Sequence, residues 1–323
     1  MRRWVLLFAF SALVLCAAVQ AQDAPDAGQD KAAREAEYLQ RSVFRKAGET
    51  RYAELSQLPS PRDRAVALLQ AQPFVPVEAA LLRQLAAPDD LLVQWVAMHL
   101  EAEEGDSCSR RGPDPALADR VLQLEFDDAA AHFPRLLLAL ETDDGLAIDS
   151  SLAAMAAAAR FDSHVFDLID ASMQLWRRFP LPAQQLSWSE GTDDDPETVF
   201  AGQSLVDAVR ALPSYKPLVK ACDAGQAGVG VDLRRYAACG DIGRLMSRSA
   251  AWIDRSFGYI VLQKSGQLDA QDRAAQQQYE ALRLRFAQAV DPVPYAAGAF
   301  LHAMAELRDE TAAAELVLAA LAK

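Results

Sequence analysis

The chain has 323 residues, 51% of them hydrophobic, and a formal charge of −13 at neutral pH. That apolar share is enough for a substantial core. An acidic excess of this size repels phosphate backbones and anionic lipid, so nucleic-acid binding is not expected.

The first 21 residues read as an export signal. Arg2 and Arg3 form a basic start, Trp4 to Val19 is a short apolar run, and Val19-Gln20-Ala21 places small residues where a signal peptidase cuts. Cleavage after Ala21 would leave a periplasmic or secreted chain with a formal charge of −15. Leu15 stands before Cys16 where a lipoprotein site needs a small residue, so no lipid anchor is expected there. No later run approaches ~20 apolar residues, so no transmembrane segment is expected once the signal is removed.

In an exporting compartment disulfides form. The mature cysteines are Cys108, Cys222 and Cys239. Cys222 and Cys239 are close in sequence and predict a bridge, whose loop closure is worth about 3 kcal/mol in the chain-entropy model. Cys108 is then free or in an intermolecular bridge. Spacing alone leaves its pairing with either of the others open.

Residues 22–30 (QDAPDAGQD) form a flexible spacer, and 31–178 an N-terminal helical part. Helices are predicted over Lys31–Leu58, Arg62–Gln72, Val77–Ala87 and Leu91–Glu103, separated by prolines, with an aspartate of Pro88-Asp89-Asp90 capping the last. Gly105–Pro115 reads as a loop and Ala116–Glu125 as a helix. Asp127–Phe161 predicts a helical hairpin. Phe133, Leu136, Leu137 and Leu140 make one apolar stripe, and Ile148, Leu152, Met155 and Ala159 the other. Asp143-Asp144-Gly145 supplies the turn, with Gly145 expected in the left-handed conformation. Asp162–Arg178 follows as a helix, with Asp162 or Ser163 expected at its N-cap.

Residues 179–197, proline-rich and then acidic, predict a long loop before a C-terminal helical part, 198–323. Thr198–Leu212 is predicted to bury Val199, Leu205, Val206 and Val209. Tyr215–Cys222 is a short element, and Asp232–Phe257 a long helix or a pair. Asp269–Val290 buries Tyr279, Leu282, Phe286 and Val290, and a closing hairpin turns at Arg308-Asp309-Glu310. No segment alternates as a strand would. The fold class predicted is all-α, an array of short antiparallel helical hairpins without a sheet.

The hairpin over Asp127–Phe161, with its acidic lead-in (Glu125 to Ala129), central Gly turn and Ala-rich second helix, loosely resembles a tetratricopeptide-type repeat over about 35 residues. Leu136 or Leu137 stands where that family has a small residue, and Arg160-Phe161 near the place of its terminal proline. The second half, Cys222 with Ala237–Ser256, resembles exported helical proteins of unknown function from xanthomonad-type bacteria. The first resemblance implies an α-solenoid with a peptide-binding concave face, the second a periplasmic location.

Catalytic signatures are missing from the sequence. His99, His132, His164 and His302 lie in no zinc-type spacing. Asp162-Ser163-His164 holds triad residue types, but neighbours on a helix diverge. Ser204, in GQSLV, lacks the second glycine of a nucleophile elbow. Asp193, Asp194, Asp195 and Glu197 read as a solvated acidic loop rather than a calcium clasp. Gly225, Gly228 and Gly230 have no Lys-Ser or Lys-Thr after them, so they form no phosphate loop. No catalytic, cofactor-binding or metal-ligating residue is assigned.

Trp188, in a polar loop, either packs on a core edge or faces a partner, and Arg177 and Arg178 stand nearby. The reading from sequence is an exported, non-catalytic helical repeat-like protein that binds a protein or peptide. The alternatives are an all-α enzyme using carboxylates from distant helices, and a helical domain that binds a small molecule.

Overall fold

The computed structural model describes residues 46, 49–71, 89–100, 114–180, 196–226, 233–290 and 294–322. The expected signal, spacer, Val77–Ala87 helix, Cys108, Trp188 and Asp193–Asp195 lie outside them. Within them the chain is all-α. Residues 49–55 are helical, followed by α1 (Pro61–Ala71), α2 (Leu91–Leu100), α3 (Pro115–Leu124), α4 (Phe133–Glu141), α5 (Gly145–Ala157) and α6 (Val165–Arg178). Then come α7 (Pro196–Arg210), α8 (Lys216–Ala221), α9 (Leu233–Ser247), α10 (Trp252–Lys264), α11 (Ala270–Val290), α12 (Pro294–Leu307) and α13 (Glu310–Leu321). No strand occurs among the described residues; one isolated bridge pairs Asp128 with Arg160.

Local chemistry sets many of these boundaries. Pro61, Pro196 and Pro294 open their helices, where a missing N–H costs nothing. Asp114 caps α3 by accepting from Ala116 N, Asp309 caps α13 through Thr311 N and Ala312 N, and Asp90 accepts from Val93 N at the start of α2. In the α4–α5 turn, Asp144 accepts from Leu146 N and Ala147 N. The left-handed residue is Asp143, at φ 52°, while Gly145 is the first residue of α5. This corrects the expectation for Gly145: Asp tolerates that conformation well enough to end α4.

The hairpin stripe holds. Leu136, Leu152 and Met155 are fully buried and Ile148 nearly so, with Leu140 half-buried against them. Ala159 lies past the end of α5 and is exposed. On α7 the predicted face is only partly inward, with Leu205 and Val209 half-buried against the core. The buried residues are Phe200, Ala201, Ser204, Asp207 and Ala208, while Val206 is exposed. The inner face carries small and polar groups because Asp207 is satisfied by Ser172, Trp176, Gln203 and Arg210 at 2.8–3.1 Å. Asp232–Phe257 resolves into the pair α9 and α10.

One core runs from Ala65 to Val317 and unites the two expected helical parts. It is closed by packing between elements far apart in sequence: α5 lies on α9, and α7 on α12. A solenoid unit touches mainly its neighbours, so these long-range pairings go beyond a simple hairpin stack. Cys222 and Cys239 are bonded, tying the end of α8 to α9 as the spacing predicts. An aromatic column, Phe161–Phe133–Tyr215–Phe257, crosses from the hairpin to α10.

Candidate functional site

The site grows from the turn between α5 and α6. Residues 158–164 run beside the end of α3, where Ala129 N donates to Arg160 O and Ala159 N to Asp127 O, both at 2.9 Å. Asp128 is fully buried and caps the 3-10 turn Ala129–His132; its Oδ1 accepts from Ala130 N (2.8 Å) and Asp162 N (3.1 Å). The turn ends at His164, whose backbone is left-handed (φ 57°, ψ 18°). Such a conformation is costly for a residue with a Cβ and persists only where the surroundings dictate it. His164, and neither Asp162 nor Ser163, is the N-cap of α6, which corrects that expectation. The Asp162 carboxylate accepts from His164 N, and Ser163 donates to Asp254.

The buried His164 ring lies between two carboxylates. Its Nε2 is 2.7 Å from Glu125 Oε2 and its Nδ1 is 3.2 Å from Asp167 Oδ2, and it meets the Trp95 ring edge-on at 4.7 Å. Arg160 holds the other Glu125 oxygen at 2.7 Å, and Arg308 holds Asp167 at 2.7 Å. Burial alone would lower the His164 pKa, but the hydrogen bonds to Asp167 and Glu125 outweigh it and hold the ring up at about 10. Glu125 is lowered: burial opposes the shift, and His164 and Arg160 impose it. Asp167 is pulled down to about 2, first by its bond to His164. Asp128 goes the other way. Burial pushes it up to about 7 against two backbone N–H groups and Arg160.

Beside the ring opens a cleft of roughly 210 Å³, lined by Leu91, Leu92 and Arg62 on one side and by His164, Asp167, Asp170, Ala171 and Gln174 on the other. A second, more open hollow adjoins it through Gln174 and is walled by Ser60, Asp63, Arg177 and Arg178. The structure therefore puts the two predicted arginines on one ledge along α6. Arg177 pairs with Glu197 at 2.6 Å and Arg178 with Asp63 at 2.5 Å. Glu197, expected in the loop, sits in the first turn of α7.

Among the described residues, two sets of side chains bring metal-ligand atoms within 4.8 Å of one another: Glu125, Asp128 and His164, and Asp162, His164 and Asp167. Sequence spacing gave no sign of the first, because Glu125 and His164 are 39 residues apart. The clues present were two short stretches dense in ligand types, Glu125-x-x-Asp128 and Asp162-x-His164-x-x-Asp167. No Ser–His–Asp relay forms here, since Ser163 and His164 diverge to different partners.

Fold and site together define an all-α protein with a charged cluster at a helix–turn–helix junction. The chain matches no protein-family model, no curated protein and no solved structure.

Proposed function

We propose that the protein is an exported, non-catalytic helical scaffold that binds a protein or peptide partner along the ledge formed by α1 and α6. The observation that carries this reading is the pair of adjoining hollows sharing Gln174, with apolar lining from Leu91 and Leu92 and walls of opposite charges. Those charges are already matched in exposed pairs, Arg62–Asp90 and Arg178–Asp63. Exposed pairs hold each other weakly, so a partner carrying both signs can exchange with them at small cost. Export is supported by the basic start, apolar run and small-residue cleavage pattern of residues 1–21.

The carboxylate-enzyme alternative has support of its own, since Glu125, Asp128 and Asp167 converge on His164 with shifted pKa values beside a cleft. Against it stand the partners of the two candidate side chains. Both ring nitrogens of His164 are taken by carboxylates, and Ser163 is committed to Asp254. The experiment is affinity capture from periplasmic extract with the wild-type mature chain and a Gln174→Glu/Arg178→Glu variant. Circular dichroism first confirms that the variant folds. A partner retained by the wild type and lost by the variant is the expected result. An identical set of captured proteins for both would refute the ledge as the binding surface.

A further inference from the structure

We infer that Glu125, Asp128 and His164 form a binding site for one divalent transition-metal ion. Their three donor atoms lie within 4.8 Å of one another and come from separate segments, the end of α3, the cap of the following 3-10 turn and the start of α6. One imidazole and two carboxylates are a donor set suited to zinc-like ions.

The surroundings are arranged as such a site requires. Each side chain has its other polar atom engaged from outside. Asp167 Oδ2 takes His164 Nδ1–H and is itself held by Arg308, the carboxylate–imidazole pairing that orients a ligating histidine through its second nitrogen. Arg160 holds Glu125 Oε1, leaving Oε2 toward the ring. Two backbone N–H groups hold Asp128 Oδ1. Asp128 Oδ2 is left fully buried without a hydrogen-bond donor, its nearest positive group being Arg160 Nε at 3.5 Å. A buried carboxylate oxygen without a donor is expensive unless something else meets it. The left-handed backbone at His164 is a second cost, spent on delivering this ring to this place.

Binding releases to solvent the Nε2 proton that His164 shares with Glu125, and the Nε2–Oε2 distance of 2.7 Å opens by about half an ångström to admit an ion at ordinary bond lengths. Glu125 is the C-cap residue of α3, and its side chain keeps partial exposure to solvent, at 13%. The other cluster, Asp162, His164 and Asp167, is the poorer choice. Both of its carboxylates are solvent-exposed, Asp162 at 38% and Asp167 at 42%, and neither holds a buried oxygen without a donor.

The inference does not rest on the partner-binding reading, and its test involves no partner. Chelator-treated full-length mature chain is titrated with Zn²⁺ by calorimetry. X-ray absorption is then recorded on the zinc-loaded protein. Expected are one saturable equivalent per chain and a nitrogen/oxygen shell containing one imidazole and no sulfur. In Asp128→Asn and in Glu125→Gln, binding should weaken by more than about a hundredfold, beyond the cost of losing an outer-shell partner. Lack of one-equivalent binding in the wild type, or a sulfur-containing shell, overturns the assignment. So does undiminished binding in either folded variant. Binding kept in Asp128→Asn but lost in Asp167→Asn would move the ion to the other side of the ring and likewise overturn it.

Discussion

Ser163 donates its hydroxyl to Asp254 across 2.8 Å, joining the turn that carries His164 to a buried carboxylate 91 residues further on. Asp254 also takes Ser249 Oγ at 2.8 Å and the Tyr215 hydroxyl, so α8, α10 and the α9–α10 connection converge on the same group. The backbone of the candidate site is thus anchored on the C-terminal half of the core.

That anchor has a pH signature. Burial pushes the Asp254 carboxyl up to about 6 against the bonds from Tyr215, Ser249 and Ser163, with the Asp162 charge adding to the rise. The proton is therefore held more tightly in the folded chain than in the unfolded one. Its contribution is fully present below about pH 4 and is lost as pH rises through about 6, a change on the order of 2–3 kcal/mol. Asp254→Asn removes this titration and leaves the other carboxylates in place. Urea denaturation of both proteins from pH 4 to 7.5 should show the wild type losing stability relative to the variant as pH rises. A difference independent of pH would contradict this.

A second network turns on a buried hydroxyl. Ser172 Oγ donates to Asp207 at 2.8 Å and accepts from Gln70 Nε2 at 2.9 Å, so it links α1, α6 and α7 through one atom. Ser172→Ala leaves both partners short of a hydrogen bond in a dry place. It should destabilise by about 1–3 kcal/mol. Equal denaturation midpoints for variant and wild type would show that water or a rotamer change replaces the hydroxyl.

How far the sequence spoke depends on what each helix buries. On α11 the inner residues Tyr279, Leu282, Phe286 and Val290 are large and apolar, so the 3.6-residue rhythm revealed them correctly. On α7 the inner face includes Ser204 and Asp207, which look solvent-facing until Ser172, Trp176 and Gln203 are placed beside them. Cys222 and Cys239 were legible because a local spacing brings them together. The cluster around His164 was not, because Glu125 arrives from another helix and no local pattern records that meeting. Left-handed backbone falls on Gly266, as the rule for glycine expects, but among the described residues also on Asp143, His164 and Arg308, which carry side chains.

Glycine matters instead where α9 and α10 cross. A Cβ on Gly258 would lie 2.5 Å from Ser247 N and 2.8 Å from Gly243 O, both backbone atoms that cannot swing aside. Gly258→Ala gains about 1 kcal/mol of helix propensity but forces the two helices apart, with a typical overpacking cost of 1–3 kcal/mol or more. Gly145→Ala meets nothing within 4 Å and should be neutral or stabilising by up to about 1 kcal/mol. Thermal melts of the two variants should therefore shift in opposite directions or differ clearly. A Gly258→Ala protein as stable as Gly145→Ala would mean the crossing is looser than described.

The hairpin at the centre of the chain allows the most direct check of helical phase. Leu152 is completely buried in α5, close to Leu136 and Met155 in the same core, whereas Ser150, two residues earlier, is exposed. Leu152→Ala removes three buried carbons where Leu136 and Met155 are fixed by their own helices, so the space cannot fully collapse. A loss of roughly 2–5 kcal/mol is expected. Ser150→Ala changes a solvent-facing group and should stay within about 0.5 kcal/mol, with any gain coming from alanine's helix propensity. Chemical denaturation of the wild-type protein and the two variants measures both quantities. Equal stability of the two variants would place residues 150 and 152 in equivalent surroundings. The packing of α5 on α4 and α9 would then have to be rebuilt with a different face inward.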